Sequence, residues 1–116
     1  MIRGEIYDVR LDPVEGSEQA GIRPAVILSR DQLNAALSTV IVVPCSTYRP
    51  GRRIFAAQVL LRAPEGGLRT DSVVLAEQVR VLAKHRLSRR RGAVSPQSMA
   101  RIEQALAIAL DMPDQP

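Results

Sequence analysis

The sequence predicts a mainly β (α+β) fold: a small, strongly bent antiparallel sheet or barrel, with one short helix and one long helix at the end. Three observations carry this expectation. Five or six short apolar runs, several of them β-branched, are separated by turns bearing Gly and Pro. The 116 residues are enough for one hydrophobic core and too few for two, so the whole chain, 1–116, is expected to be a single domain. The last segment repeats its apolar residues at three- and four-residue spacing behind a capping serine.

Each element follows from its residues. Over 5–11, Ile6, Val9 and Leu11 alternate loosely with polar positions, which predicts a first strand that Asp12 and Pro13 break. Residues 14–23 are rich in Gly, Ser and Glu and read as a loop. The run Pro24, Ala25, Val26, Ile27, Leu28 is continuously apolar, as in a strand buried on both faces. Ser29 is the expected cap of a short helix over 30–36. A β-branched strand over 39–43 should end at Pro44. Further strands are predicted over 54–61 and 72–76, separated by a turn around Pro64, Glu65, Gly66 and Gly67. After an interruption at Glu77 and Gln78, 79–82 extends the last of them. Ser95 caps the final helix, with Pro96 where a first-turn proline is tolerated. Met99, Ile102, Leu106, Ala109 and Leu110 make one apolar face, and Pro113 and Pro116 mark the stop.

Composition narrows the function. Hydrophobic residues make up 46% and charged residues 24%, ordinary proportions for a globular protein. The aromatics are Tyr7, Tyr48 and Phe55, too few for a site that stacks bases over several rings. No apolar run approaches the roughly 20 residues that span a bilayer, and the amino terminus lacks the layout of a signal peptide. The single cysteine, Cys45, excludes an internal disulfide. A cytoplasmic protein without a membrane partner is expected. The net charge is +4, and 15 of the 16 basic residues are Arg. Arg suits phosphate oxygens, although a genome rich in Arg codons gives the same total. Placement says more: 80–91 holds six Lys or Arg and no acid, and 49–53 holds three, the footprint of a phosphate-binding face.

The most distinctive segment is Gly16, Ser17, Glu18, Gln19, Ala20, Gly21, Ile22, Arg23, Pro24. Two glycines permit unusual backbone angles, and Pro24 restricts Arg23 just ahead of a strand. An acid and an arginine on one constrained loop can act on a phosphodiester, Glu18 as general base and Arg23 neutralising the charge that develops on phosphorus. The same pattern also fits a solvated turn with a surface arginine. Pro44, Cys45, Ser46 and Thr47 follow a buried strand, so their hydroxyls should gather at its end, either binding a phosphate oxygen or starting a polar loop. Cys45 reads as a small buried residue. His85 is the only histidine, so a two-histidine mechanism is excluded. No His, Cys and carboxylate spacing supports a metal site, and no cofactor is expected.

These residues, in order and spacing, resemble the MazF/PemK family of toxins. The resemblance rests on Arg3 to Tyr7, Asp12 and Pro13, the stretch from Gly16 to Ser29, Val43 to Ser46, the stretch from Asp71 to Arg80, and the terminal helix. It covers nearly the whole chain. It implies an SH3-like β-barrel working as a homodimer, a fold shared with toxins that poison DNA gyrase. It implies a metal-independent, sequence-specific endoribonuclease, a messenger-RNA interferase, cutting single-stranded RNA to 2′,3′-cyclic phosphate and 5′-hydroxyl ends. It also implies a cognate antitoxin whose acidic, disordered tail lies along the RNA groove.

By the resemblance, Arg23 falls on the catalytic arginine, Glu18 on an acid that assists it, and Ser46 where many members carry a threonine. PemK-type members carry a first-loop histidine that this chain lacks. Thr47, Arg49, Arg52, Arg53, Glu77, Gln78, Arg80, Lys84 and Arg86 are the expected RNA-binding residues. Two other readings fit the same fold: a gyrase poison, and a non-cleaving module that binds RNA or antitoxin.

Overall fold

The computed structural model describes residues 1–113. In chain order it contains strand β1 (Glu5–Arg10), β2 (Ile22–Ile27), helix α1 (Asp31–Ala36), β3 (Thr39–Thr47), β4 (Gln58–Leu61), β5 (Ser72–Leu75), β6 (Arg80–Ala83), β7 (Leu87–Ala93) and helix α2 (Pro96–Ala109). Short 3₁₀ turns lie at Glu65–Gly67, Ala76–Gln78 and Lys84–Arg86. All strand pairs are antiparallel, in the order β4-β5-β3-β2-β1-β7, with β6 also on β3.

The mainly β architecture with a terminal helix is as the sequence predicts. The sheet is open, however. Among the described residues no ladder joins β4 to β7, and the Glu65–Gly67 turn packs against β7 instead. Glycines allow that approach. A Cβ at Gly67, where φ is +74°, would collide with the carbonyl oxygen of Arg91. A Cβ at Gly92 of β7 would likewise press on the backbone of Gly66, at 2.7 Å from its carbonyl carbon.

The bend of the sheet is made by β3. Thr39–Val42 pair with β6, whereas Cys45–Thr47 pair with β5, so one strand edge serves two partners in succession. The expectation that Pro44 ends this strand is corrected. Pro44 pairs with Ala25 of β2 and sits in the gap between the β6 and β5 registers, where its missing N–H forfeits no ladder bond.

Alternation divides the central strands between two cores. Val26 and Val43 face one cluster with Ile6, Leu61, Val74 and the buried face of α2, including Met99, Ile102 and Ala105. Ala25, Ile27, Val40 and Val42 face the other with Val9, Leu11 and Leu82. Both faces of the central parts of β2 and β3, residues 25–27 and 42–45, are therefore covered, which is why those stretches are continuously apolar.

Other local expectations are met or corrected individually. Ser95 caps α2, accepting from Ser98 N–H at 3.1 Å. On that helix Leu110 is 52% exposed, so the apolar face packs only as far as Leu106. Ser29 does not cap α1; Arg30 holds that position, and the Ser29 hydroxyl is tied to Asn34 Oδ1 at 2.5 Å and to Ile41 N–H at 3.0 Å. The strand expected over 54–61 is only its second half, β4. Strand β7 was not expected at all, because its arginines hide its alternation. Pro116 lies outside the described residues. Among the described residues no helix is long and apolar enough to cross a membrane.

Candidate active site

The first cleft forms where β2 enters the sheet beside the end of β3. It has a volume of about 130 Å³ and is lined by Arg23, Pro24, Cys45, Ser46, Thr47 and Arg91, together with Leu68, Arg69, Thr70 and Ser72. Arg23 stands at the second residue of β2, opposite Val9 of β1, so the sheet fixes its backbone. Its Nε donates to Ala20 O at 3.2 Å, which steadies the guanidinium while leaving its other donors for a ligand. Among the described residues neither Arg23 nor Arg69 forms an ion pair, whereas Arg91 is held by Asp8 at 2.9 Å. The cleft is therefore net positive.

Ser46 is 9% exposed, and its Oγ is buried without a hydrogen-bond partner. A polar group in that condition costs about 1–3 kcal/mol, and a phosphate oxygen entering the cleft would relieve it. Cys45, beside it, is fully buried, and burial pushes its thiol up to about 12. It stays protonated and is not a nucleophile.

The structure brings Arg23 and Ser46 to one cleft but gives Glu18 to another. A larger cavity of about 410 Å³ is lined by Leu11, Ser17, Glu18, Gln19, Pro44, Glu77, Gln78, Val79 and Arg80. Glu18 Oε1 accepts from Glu15 N–H at 3.2 Å, closing a turn of its own loop. The loop is drawn over this cavity by Gln78, whose Oε1 accepts from Gln19 N–H at 2.8 Å and whose Nε2 donates to Ser17 O at 3.3 Å. Glu77 accepts from Gln58 Nε2 at 2.5 Å. The two cavities are neighbours: Pro44 lines the larger and the next residues of β3, Cys45 and Ser46, line the smaller.

The expected RNA-binding residues divide the same way. Thr47 lines the cleft, and Glu77, Gln78 and Arg80 line the cavity. Arg49, Arg52 and Arg53 occupy the loop after β3, where Arg52 Nη1 donates to Thr47 O at 2.8 Å and Arg53 stacks 4.7 Å over the ring of Phe55. Lys84 and Arg86 line neither space. Lys84 donates to Asn34 O, and Arg86 to the carbonyls of Arg10 and Asp12. They fasten the ends of β1 and α1.

Arg69 and Thr70 are additional cleft residues to which the sequence by itself assigns no individual role. They stand on an irregular segment with no local pattern, and only the packing of Leu68 into the core turns them toward Arg23. The arginine run at Arg89–Arg91 is likewise partly structural, since Arg90 pairs with Glu5 and Arg91 with Asp8 across the β1–β7 ladder.

Residues 2–110 match the family described as PemK-like, MazF-like toxin of type II toxin-antitoxin system. The chain is 40% identical to Endoribonuclease MazF9 of Mycobacterium tuberculosis, covering 97% of this chain and 98% of that one. It is 38% identical to Endoribonuclease MazF of Staphylococcus saprophyticus, covering 97% and 92%. The fold is similar to that of an endoribonuclease solved in complex with its cognate antitoxin from a mycobacterial species, with a TM-score of 0.80, 28% identity and 99% of both chains covered. The match over nearly the full length, in sequence and in fold, makes this chain a member of the PemK-like, MazF-like toxins of type II toxin–antitoxin systems.

Proposed function

We propose that this chain, as one domain and a homodimer in the cytoplasm, is an endoribonuclease toxin that cuts single-stranded RNA at a short sequence without a metal. The observation that carries the reading is the pairing of an ion-pair-free Arg23 with the orphaned Ser46 hydroxyl in one cleft. A cleft of that size and charge suits a phosphodiester.

The chemistry follows from the substrate. The ribose 2′-oxygen attacks the adjacent phosphorus, the P–O2′ bond forms and the P–O5′ bond breaks. The 2′-hydroxyl proton passes to a base, and the departing 5′-oxygen takes up a proton. The nucleophile is internal to the RNA, so no metal-generated hydroxide is required. The protein's task is to hold the phosphate and neutralise the charge on its oxygens, which Arg23 does with Arg69 and the Ser46 hydroxyl in support. Glu18 lines the neighbouring cavity and not this cleft. The arginines at 49, 52 and 53 then track the backbone of the bound strand. An acidic antitoxin tail fits the same positive surface, and a related endoribonuclease is solved in complex with its cognate antitoxin.

Incubation with a long single-stranded RNA in EDTA tests the proposal. Discrete cuts with 5′-hydroxyl ends, absent with Arg23→Ala, are expected. Intact RNA with folded protein would turn the reading toward a gyrase poison or a binding module.

A further inference from the structure

The larger cavity differs from the phosphate cleft in size and in chemistry. At about 410 Å³ it falls within the ~300–1,000 Å³ usual for small-molecule sites, whereas the cleft at about 130 Å³ falls below it. Leu11, Pro44 and Val79 give it apolar walls on which a flat ring can lie. Its polar groups are mostly acceptors. Glu18 and Glu77 contribute carboxylates, and the Gln19 Oε1 is buried with no donor. Gln78 adds nothing, because both ends of its amide are spent on the loop. Arg80 is the one cation, and its Nη1 reaches toward Leu11 O at 3.5 Å.

An acceptor-lined pocket with apolar walls selects a flat ligand rich in N–H donors. Consecutive residues of β3 separate it from the phosphate cleft, at roughly 3.3 Å per residue. A nucleotide whose phosphate meets Arg23 can therefore place a neighbouring base in the cavity. We infer that this cavity reads a nucleobase bearing an exocyclic amine, with Gln19 and the Glu77 carboxylate accepting from that amine. This assignment rests on the proposed ribonuclease activity and gives the cavity the role of selecting the cut sequence. Uracil, which carries a carbonyl oxygen where cytosine carries the amine, gives Gln19 and Glu77 no hydrogen to accept there and is disfavoured, since a buried acceptor left unpaired is costly.

The test uses the wild-type RNA cut site, remade as oligonucleotides in which one base at a time is replaced by its amine-free analogue. Inosine replaces guanosine, nebularine replaces adenosine and zebularine replaces cytidine. One position flanking the cut is expected to lose ~10-fold or more in kcat/KM when its amine is removed. Gln19→Ala should lower cleavage of the natural oligonucleotide and shrink that penalty to about threefold or less. The penalty, unlike a loss of fold, is a ratio within one variant. Glu77→Gln, which keeps the shape and adds a donor, should relax the same position toward uracil. A cut that is indifferent to every amine, or a penalty of equal size in Gln19→Ala, would overturn the inference while leaving the ribonuclease standing. Failure of the wild type to cut any RNA would overturn both.

Discussion

The side chain of Gln78 holds the backbone on both sides of Glu18, accepting from Gln19 N–H at 2.8 Å and donating to Ser17 O at 3.3 Å. A loop that would otherwise be free is thereby fastened to the 3₁₀ turn after β5, and the larger cavity acquires its outer wall. Gln78→Ala removes two hydrogen bonds worth ~1 kcal/mol each. We expect kcat/KM for RNA to fall ~10-fold, with stability lowered by about 1–2 kcal/mol. Amide hydrogen exchange should show protection lost over 15–21 and retained in the sheet. Gln78→Glu keeps the acceptor but loses the donor and adds charge beside Glu18 and Glu77, so its KM for RNA should rise further.

Arg23 is half-buried and donates only to a carbonyl of its own loop. Arg23→Ala should therefore leave the melting temperature within about 2 °C while lowering cleavage by ~100-fold or more, the usual scale for removing a group that stabilises developing charge. Arg23→Lys keeps a charge without the planar fork and should recover only part of the loss.

Ser46→Ala should separate stability from activity most cleanly. Its Oγ is buried and unpartnered, so removing it is neutral or slightly stabilising to the fold. Cleavage is expected to fall ~10-fold or more. Thermal melts and single-turnover kinetics on one preparation check both halves. A large drop in stability would mean that the hydroxyl has a structural partner after all.

Gly67→Ala tests how the segment that leads into Leu68 and Arg69 of the cleft is held against β7. The added Cβ meets the carbonyl of Arg91 at a φ of +74°, and backbone rather than a side chain must move. A loss of at least ~2 kcal/mol is expected. Gly16→Ala, also at positive φ but with nothing within 4 Å, should cost only ~1 kcal/mol. Urea unfolding of the two variants measures the difference.

The acid side of the stability profile follows from Glu5, Glu65 and Asp71. Burial pushes Glu5 up, but the hydrogen bonds from Arg90 and Ile2 N–H outweigh it and leave the carboxyl below its ordinary 4.5. Burial likewise raises Glu65, and hydrogen bonds from Ser98 and Ser95 reverse it, again to below 4.5. The Ala63 N–H and then Arg62 hold Asp71 below its ordinary 3.8. Groups depressed in the folded state contribute stability above their unfolded values and lose it as the pH falls through the folded ones. Melting temperature should therefore be flat from pH 7 to about 5 and decline below about 4.5, less steeply in Glu65→Gln.

The sequence made β1, β2 and α2 legible because apolar spacing and caps there are local signals. It did not reveal β7, since Arg90 and Arg91 become strand residues only through carboxylates on β1, some 80 residues away. Nor did it show that β3 passes through Pro44, because that depends on a gap between two distant partners. In the site, Arg23 and Ser46 were legible from the loop and from the strand end. The expected partnership of Arg23 with Glu18 is not made in this structure: Gly16 and Gly21 take positive φ, and Gln78 carries Glu18 to the adjoining cavity. Arg69 and Thr70 depend on where Leu68 is buried, which no neighbouring residue announces.

The central claim is that the nucleophile is the RNA's own 2′-hydroxyl, acting on a phosphate held by Arg23 and Ser46. The most direct measurement places a single 2′-deoxynucleotide at the mapped cut site and compares cleavage in EDTA with the all-ribose strand. The account predicts that cleavage stops at that linkage, that binding is retained, and that a deoxynucleotide two positions away is tolerated. Continued cutting at the deoxy linkage would mean that water, not the ribose, attacks the phosphorus, and would contradict it.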